Sequence, residues 1–277
     1  MAADGLGFVD RKNESRRLAK AIVERQSLMV SGPAGIGKTA LVSQVIAGLP
    51  AGLARRCLGV QGPEDLQDLL RMLVRRLYEA EDVLLRRQLH SEGVSTRTFG
   101  AWLKGLSTSR LKGALYRMLE GGDYRVILDH LPRLTEAMAR VVKELFWMRN
   151  TPVYLVLRDE DQQRINWLCR FFYWGAQERL TLQPLPTPAA AVLTATCLQR
   201  SQISQPEPAG LRAQVLKLSK RVPGAIIDLC ALAADPRYQC ESGIKIRSAY
   251  LSYLTKGQMR DLPPSKSPNM NRPAARA

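Results

Sequence analysis

The sequence predicts an α/β protein, a parallel sheet carrying helices, followed by a segment that is helical throughout. Three observations carry this prediction. Short apolar runs at Ser27–Ser31, Cys57–Val60, Tyr124–Leu128 and Val153–Leu157 have the length and unbroken hydrophobicity of buried parallel strands. Stretches with helical periodicity separate them. Beyond Pro184, Pro186 and Pro188 the strand-like runs stop and only helical patterning continues.

Taken in order, Glu14–Arg25 reads as a helix with an apolar edge of Leu18, Ile22 and Val23. The run Ser27–Ser31 enters a Gly-rich turn directly. Lys38–Leu49 then reads as a helix with Leu41, Val42, Val45 and Ile46 facing inward, ended by Pro50 and Gly52. From Pro63 to Glu120 the pattern is helical, with Leu66, Leu69, Leu70, Leu73 and Leu77 on one face and Arg71, Arg75 and Arg76 off it. Leu134–Met148 is a further helix-patterned segment, and a last short run, Leu180–Leu182, precedes the prolines, which mark a domain junction. Ala189–Leu254 reads as helices only, and the proline-rich polar end from Gly257 has no apolar pattern. The resulting boundaries are an α/β domain over 1–186, a helical domain over 187–255 and a disordered basic tail over 256–277.

Composition narrows the classes of function. The formal charge is +16 and the pI about 10.1, which biases the chain toward polyanionic partners such as nucleic acid. Part of the excess lies in the tail, where Arg260, Lys266, Arg272 and Arg276 face only Asp261. The apolar runs fall short of the ~18 residues that span a bilayer, so the sequence reads as soluble and cytoplasmic, with no membrane partner. Its five cysteines, Cys57, Cys169, Cys197, Cys230 and Cys240, are scattered and never in a C-x-x-C spacing. Neither a disulfide framework nor a zinc site is expected from them.

The strongest motif is Gly32-Pro33-Ala34-Gly35-Ile36-Gly37-Lys38-Thr39, which satisfies G-x-x-x-x-G-K-[ST] between a predicted strand and a predicted helix. Its glycines let successive backbone N–H groups point at phosphates, and the helix N-terminus adds its positive end. Lys38 would neutralise the β- and γ-phosphates of a nucleoside triphosphate, with ATP and Mg²⁺ the expected pair, and Thr39 would give its hydroxyl to the metal. A P-loop also needs an acidic residue at the end of another strand. Asp129, directly after Val126–Leu128, fits as that metal ligand, against the plainer reading of a surface Asp capping a turn.

Phe8-Val9-Asp10-Arg11 with Glu14, the loop Gly32–Thr39, the strand ending at Asp129, the strand ending at Arg158, the run Glu178–Leu185 and Arg221-Val-Pro-Gly224 follow one another in an order that resembles AAA+ and STAND ATPases, nearest to their origin-recognition-like and signalling branches. The resemblance spans Phe8–Leu254. It implies a P-loop NTPase fold: a parallel five-stranded sheet with helices on both faces, followed by a small all-helical lid. It also implies that Phe8–Arg11 lies near the adenine, that Pro223 opens the lid helix near the base, and that Arg158 holds the polar position at the end of the fourth strand. For Arg158 the alternative is a surface arginine paired with Asp159 or Asp161.

The chain departs from this family at one position that matters for chemistry. Where a second acidic residue usually polarises the attacking water, His130 follows Asp129. His130 either orients water as a neutral acceptor or is structural, and Glu160 or Asp161 are substitutes if they reach the γ-phosphate. Arg170 and Arg179 are the candidates for an arginine finger acting on a neighbouring subunit. Three functions follow from this reading. One is a nucleotide-driven switch that engages a protein partner or forms a homo-oligomer, and another is the same module assembling on nucleic acid. The third is a P-loop kinase. A basic stripe of Arg71, Arg75, Arg76, Arg86 and Arg87 belongs to the second, against the alternative of an exposed face paired with Glu79, Glu81 and Asp82.

Overall fold

The computed structural model describes residues 10–131, 134–159, 178–201, 210–240 and 243–260, the last five of these by backbone alone. They divide into two compact units, one ending at Pro184 and the other beginning at Leu185. In the first unit five strands, β1 (Leu28–Ser31), β2 (Cys57–Gln61), β3 (Arg125–Asp129), β4 (Val153–Val156) and β5 (Arg179–Thr181), form one sheet in the order β2-β3-β4-β1-β5. Every pairing is parallel. Because β1 lies between β4 and β5, the chain leaves it to one side and returns on the other, which is the arrangement that opens a crevice at the C-terminal strand ends.

Strand alternation sorts the core into two faces. Met29, Leu58, Val60, Val126, Leu128, Val153 and Leu155 join one large buried cluster with α4 (Leu66–Glu79), α5 (Val83–Ser91), α6 (Phe99–Gly105), α7 (Thr108–Gly121) and α8 (Glu136–Trp147). Ile127 and Tyr154, paired in register, point the other way. There Tyr154 Oη donates to the Ala21 carbonyl at 3.0 Å and Arg125 Nε to that of Ile22 at 3.3 Å, both on α1 (Lys12–Val23). The α1 helix packs beside α2 (Lys38–Ala47). Helices therefore cover both faces; the inner strands β1, β3 and β4 are buried on both sides, and the edge strands β2 and β5 on one.

Several local expectations differ from what forms. Val23 is 57% exposed, because α1 ends there and its last turn leaves the core. The α2 helix stops at Ala47, and Pro50 then caps a short helix, α3 (Ala51–Arg55), because its fixed φ suits a helix start as well as it prevents a continuation. The stretch read as helical from Pro63 to Glu120 is four helices. The breaks fall where Glu81 and Gly93 adopt left-handed backbone (φ 61° and 67°) and where Asp82 and Ser107 start new helices by accepting from Leu85 N and Arg110 N.

The second unit contains α9 (Thr187–Arg200), α10 (Leu211–Leu218), α11 (Pro223–Ala233) and α12 (Ile246–Arg260). Pro188 lies in the first turn of α9 and Pro223 at the first position of α11, where the missing N–H costs nothing. Besides the helices, β6 (Gln239–Cys240) pairs antiparallel with β7 (Gly243–Ile244), a ladder too short to leave a period in the sequence. The α12 helix continues into the segment expected to be disordered, through Lys256, Gly257, Gln258, Met259 and Arg260. Apart from Gly257 these are good helix formers, and the first proline comes at Pro263. Among the described residues no helix is long and apolar enough to cross a membrane.

One buried polar contact joins the helical layer to the sheet. Asp82, 7% exposed, accepts from Leu85 N at 2.7 Å and from Tyr124 Oη at 2.7 Å, and this contact together with burial pushes the Tyr124 phenol well above its usual range. Asp82→Ala removes a helix cap and strands a buried hydroxyl. It is expected to cost about 2–3 kcal/mol in urea unfolding, with Tyr124→Phe costing about 1 kcal/mol.

Candidate functional site

The site is built where β1 runs into α2. Gly37 precedes the helix in a left-handed conformation (φ 96°), which a side chain would oppose. Gly32 is needed for space as well as for its φ of 149°: a Cβ there would meet Ile36 Cγ2 and the Leu182 carbonyl oxygen, each at 3.0 Å. The loop is thus pressed against the end of β5 with no room for a methyl group. Ile36, fully buried, anchors its tip in the core.

Lys38 is 9% exposed, and its ammonium donates to the carbonyls of Gly32 at 2.6 Å and Pro33 at 2.9 Å, so it lies across the loop it follows. Thr39 Oγ1 donates to Asp129 Oδ2 at 2.6 Å. Asp129 is also 9% exposed and ends β3, two strands from β1. Its burial raises the carboxyl pKa above the usual range. The Thr39 hydrogen bond and the neighbouring His130, Lys38 and Arg158 pull it down without overcoming burial.

Lys38, Thr39, Asp129, His130 and Arg158 are therefore brought together. His130 has left-handed backbone (φ 56°), its N donating to the Val156 carbonyl at 3.1 Å and its carbonyl accepting from Gly62 N at 3.0 Å. Gly62 also donates to the Asp129 carbonyl at 2.9 Å, which makes it the residue that shapes the Asp129–His130 turn. Sequence reading passed over Gly62; the signal was a glycine directly after the second strand. Arg158 follows β4, and the next residue, Asp159, donates its N–H to the Gly32 carbonyl at 3.2 Å.

Arg11, which the resemblance puts near the adenine, is held by protein contacts. It is 5% exposed, and its guanidinium donates to Glu14 Oε1 at 3.0 Å, the Ile36 carbonyl at 3.3 Å and the Gln183 carbonyl at 2.7 Å. These contacts tie α1 to the tip of the loop and to the chain leaving β5. Pro223 belongs to the second unit. Arg179 begins β5, at the end of the sheet away from the loop. Phe8, Val9, Glu160, Asp161 and Arg170 lie outside the described residues. In the basic stripe, Arg76 pairs with Glu79 at 2.6 Å, Arg86 with Glu81 at 2.7 Å, and Arg71 donates to the Lys104 carbonyl at 2.8 Å, while Arg75 and Arg87 are exposed.

No family model matches the chain, and no curated protein matches it in sequence. Solved structures do match. The ORC1 protein of Aeropyrum pernix, solved in complex with DNA, aligns with a TM-score of 0.62 at 17% identity, over 95% of this chain and 71% of that one. A Walker-type ATPase of Pyrococcus abyssi aligns with a TM-score of 0.60 at 12% identity, over 92% and 75%. The ORC2 protein of Aeropyrum pernix, in its ADPNP and ADP complexes, aligns with a TM-score of 0.51 at 16% identity, over 88% and 70%. The fold is that of P-loop NTPases. At such identities the likeness is one of fold, and within it the loop and Asp129 stand at the C-terminal strand ends.

Asp129 makes the site costly to keep. With its pKa raised, the stability it contributes is complete below the ordinary carboxylate value near 4 and is lost as pH rises through the raised one. Asp129→Asn is therefore expected to raise the melting temperature of the nucleotide-free protein at pH 7. The gain should shrink toward zero as the pH is lowered below about 4, in melts recorded across that range.

Proposed function

We propose that the chain binds ATP with Mg²⁺ at Gly32–Thr39 and acts as a nucleotide-dependent switch with slow turnover. The observation that carries this is the 2.6 Å contact between Thr39 Oγ1 and buried Asp129 beside Lys38, at the C-terminal edge of a parallel sheet. A hydroxyl and a carboxylate are the hard oxygen donors that Mg²⁺ prefers, so this pair would hold the ion, and the ion would neutralise phosphate charge. Lys38 would exchange its two loop carbonyls for phosphate oxygens. The backbone N–H groups from Gly35 to Thr39, at the start of α2, would cradle the same phosphates.

Slow turnover follows from His130 in place of an acidic residue. Arg158, whose charge acts on Asp129, would read the γ-phosphate from the neighbouring strand end. The unit from Leu185 on serves in this reading as the lid, with Pro223 at the base. Wild type should bind ATP in a Mg²⁺-dependent way, Lys38→Ala should weaken binding at least about tenfold, and Asp129→Asn should lose the Mg²⁺ dependence. Turnover should fall far below the ~10 s⁻¹ of a typical enzyme. Titration calorimetry and phosphate release measure these quantities. ATP binding unchanged in Lys38→Ala would sink the assignment, and a hydrodynamic size and protease pattern indifferent to ATP would sink the switch.

A second reading adds nucleic acid. Residues 185–277 hold 13 Lys and Arg against 5 Asp and Glu, half of the net charge in a third of the chain. The ORC1 protein, which shares the fold, was solved with DNA. Phosphate neutralisation by such a segment predicts that log affinity for DNA falls linearly with log salt, and affinity that holds constant between 50 and 200 mM salt would contradict it.

A further inference from the structure

The edge of the sheet opposite the P-loop holds a second concentration of charge. Asp123, two residues before β3, is surrounded by three guanidinium groups. Arg25 Nη1 contacts Oδ1, Arg125 Nη1 lies 2.8 Å from Oδ1, and Arg56 Nη1 lies 3.0 Å from Oδ2. Arg125 is itself buried, at 4% exposure. Arg25 follows α1 with left-handed backbone (φ 60°), and from there its guanidinium also donates to the Asn150 carbonyl. One carboxylate thus faces three fixed cations.

Arg25 and Arg56 border a cavity of about 610 Å³, and Arg55 stands on the same wall. Four carboxylates, Glu81, Asp82, Glu120 and Asp123, line the cavity with these arginines. Glu81 is engaged by Arg86 at 2.7 Å, Asp82 is committed to Leu85 N and Tyr124 Oη, and Glu120 is exposed. Val83 and Leu84, which are 61% and 41% exposed, and Tyr124 also line the cavity. The volume falls within the ~300–1,000 Å³ typical of small-molecule sites. Guanidinium forks held in place by a shared carboxylate are suited to bidentate capture of phosphate or carboxylate oxygens.

We propose that this cavity is a second ligand site, taking a small molecule that carries phosphate or carboxylate groups on an apolar body. Arg25, Arg55 and Arg56 bind the anionic end, Asp123 holds the guanidinium groups in position, and Val83 and Leu84 cover the remainder. The site does not depend on what the P-loop binds.

The test uses full-length Lys38→Ala protein, to weaken phosphate binding at the P-loop, with pyrophosphate and citrate as probes in titration calorimetry at constant ionic strength. At least one probe is expected to bind, and which one does distinguishes phosphate from carboxylate ligands. Arg56→Ala should weaken that binding about tenfold. Arg55→Ala, which among the described residues breaks no ion pair and so leaves the fold intact, should weaken it several-fold. Asp123→Asn should melt lower than its parent and recover more of its melting temperature on adding millimolar pyrophosphate than the parent gains. No binding of either probe would overturn the proposal. So would binding that is indifferent to both Arg55→Ala and Arg56→Ala, in which case the arginines only fasten α1 and α3 to the sheet.

Discussion

The constraint on which the first unit depends is the position of the Asp129 carboxylate. It sits where almost no water reaches, so it must be met by protein groups, and these come from three parts of the chain. Thr39 arrives at the start of α2, Lys38 across the loop, Arg158 from the end of β4, and His130 from the turn that Gly62 fixes. The parallel register makes this possible. Because Asp129 pairs with Val156 and Gln61, and Leu157 N donates to the Val30 carbonyl, all the strands end at one level. Shifting β3 by one residue would put Asp129 on the other face of the sheet. The strand order and the site are therefore one requirement.

That requirement also explains what could be read from the sequence. The P-loop was legible because its chemistry needs consecutive residues, and Asp129 because a carboxylate ending an apolar run is a local pattern. The strands were legible because burial on both faces leaves unbroken apolar runs. What escaped was set by single residues within continuous patterns. The stretch from Pro63 to Glu120 keeps one leucine periodicity, yet it breaks at Glu81 and Gly93, where the backbone turns left-handed. The resemblance implies a place near the base for Arg11; its burial beneath the loop depends on the carbonyls of Ile36 and Gln183, and backbone acceptors leave no mark in a sequence. Gly62 was missed for the same reason, since its role is to donate one N–H to two carbonyls.

β3 carries a carboxylate near each end, and the two respond to their cations in opposite ways. Asp129 has Lys38, His130 and Arg158 acting on it, yet its pKa is raised, because deep burial costs the charged form more than they return. Asp123 pays for burial too, but it is about one-third exposed, and direct contacts from Arg125, Arg25 and Arg56 hold it below the usual range. The first carboxylate is therefore under-compensated, and further positive charge would relieve it. The second is over-compensated, and further negative charge would balance its arginines. The strand that ends in Asp129 thus also organises the arginines of the opposite edge, through Arg125, which is buried against α1 at the Ile22 carbonyl.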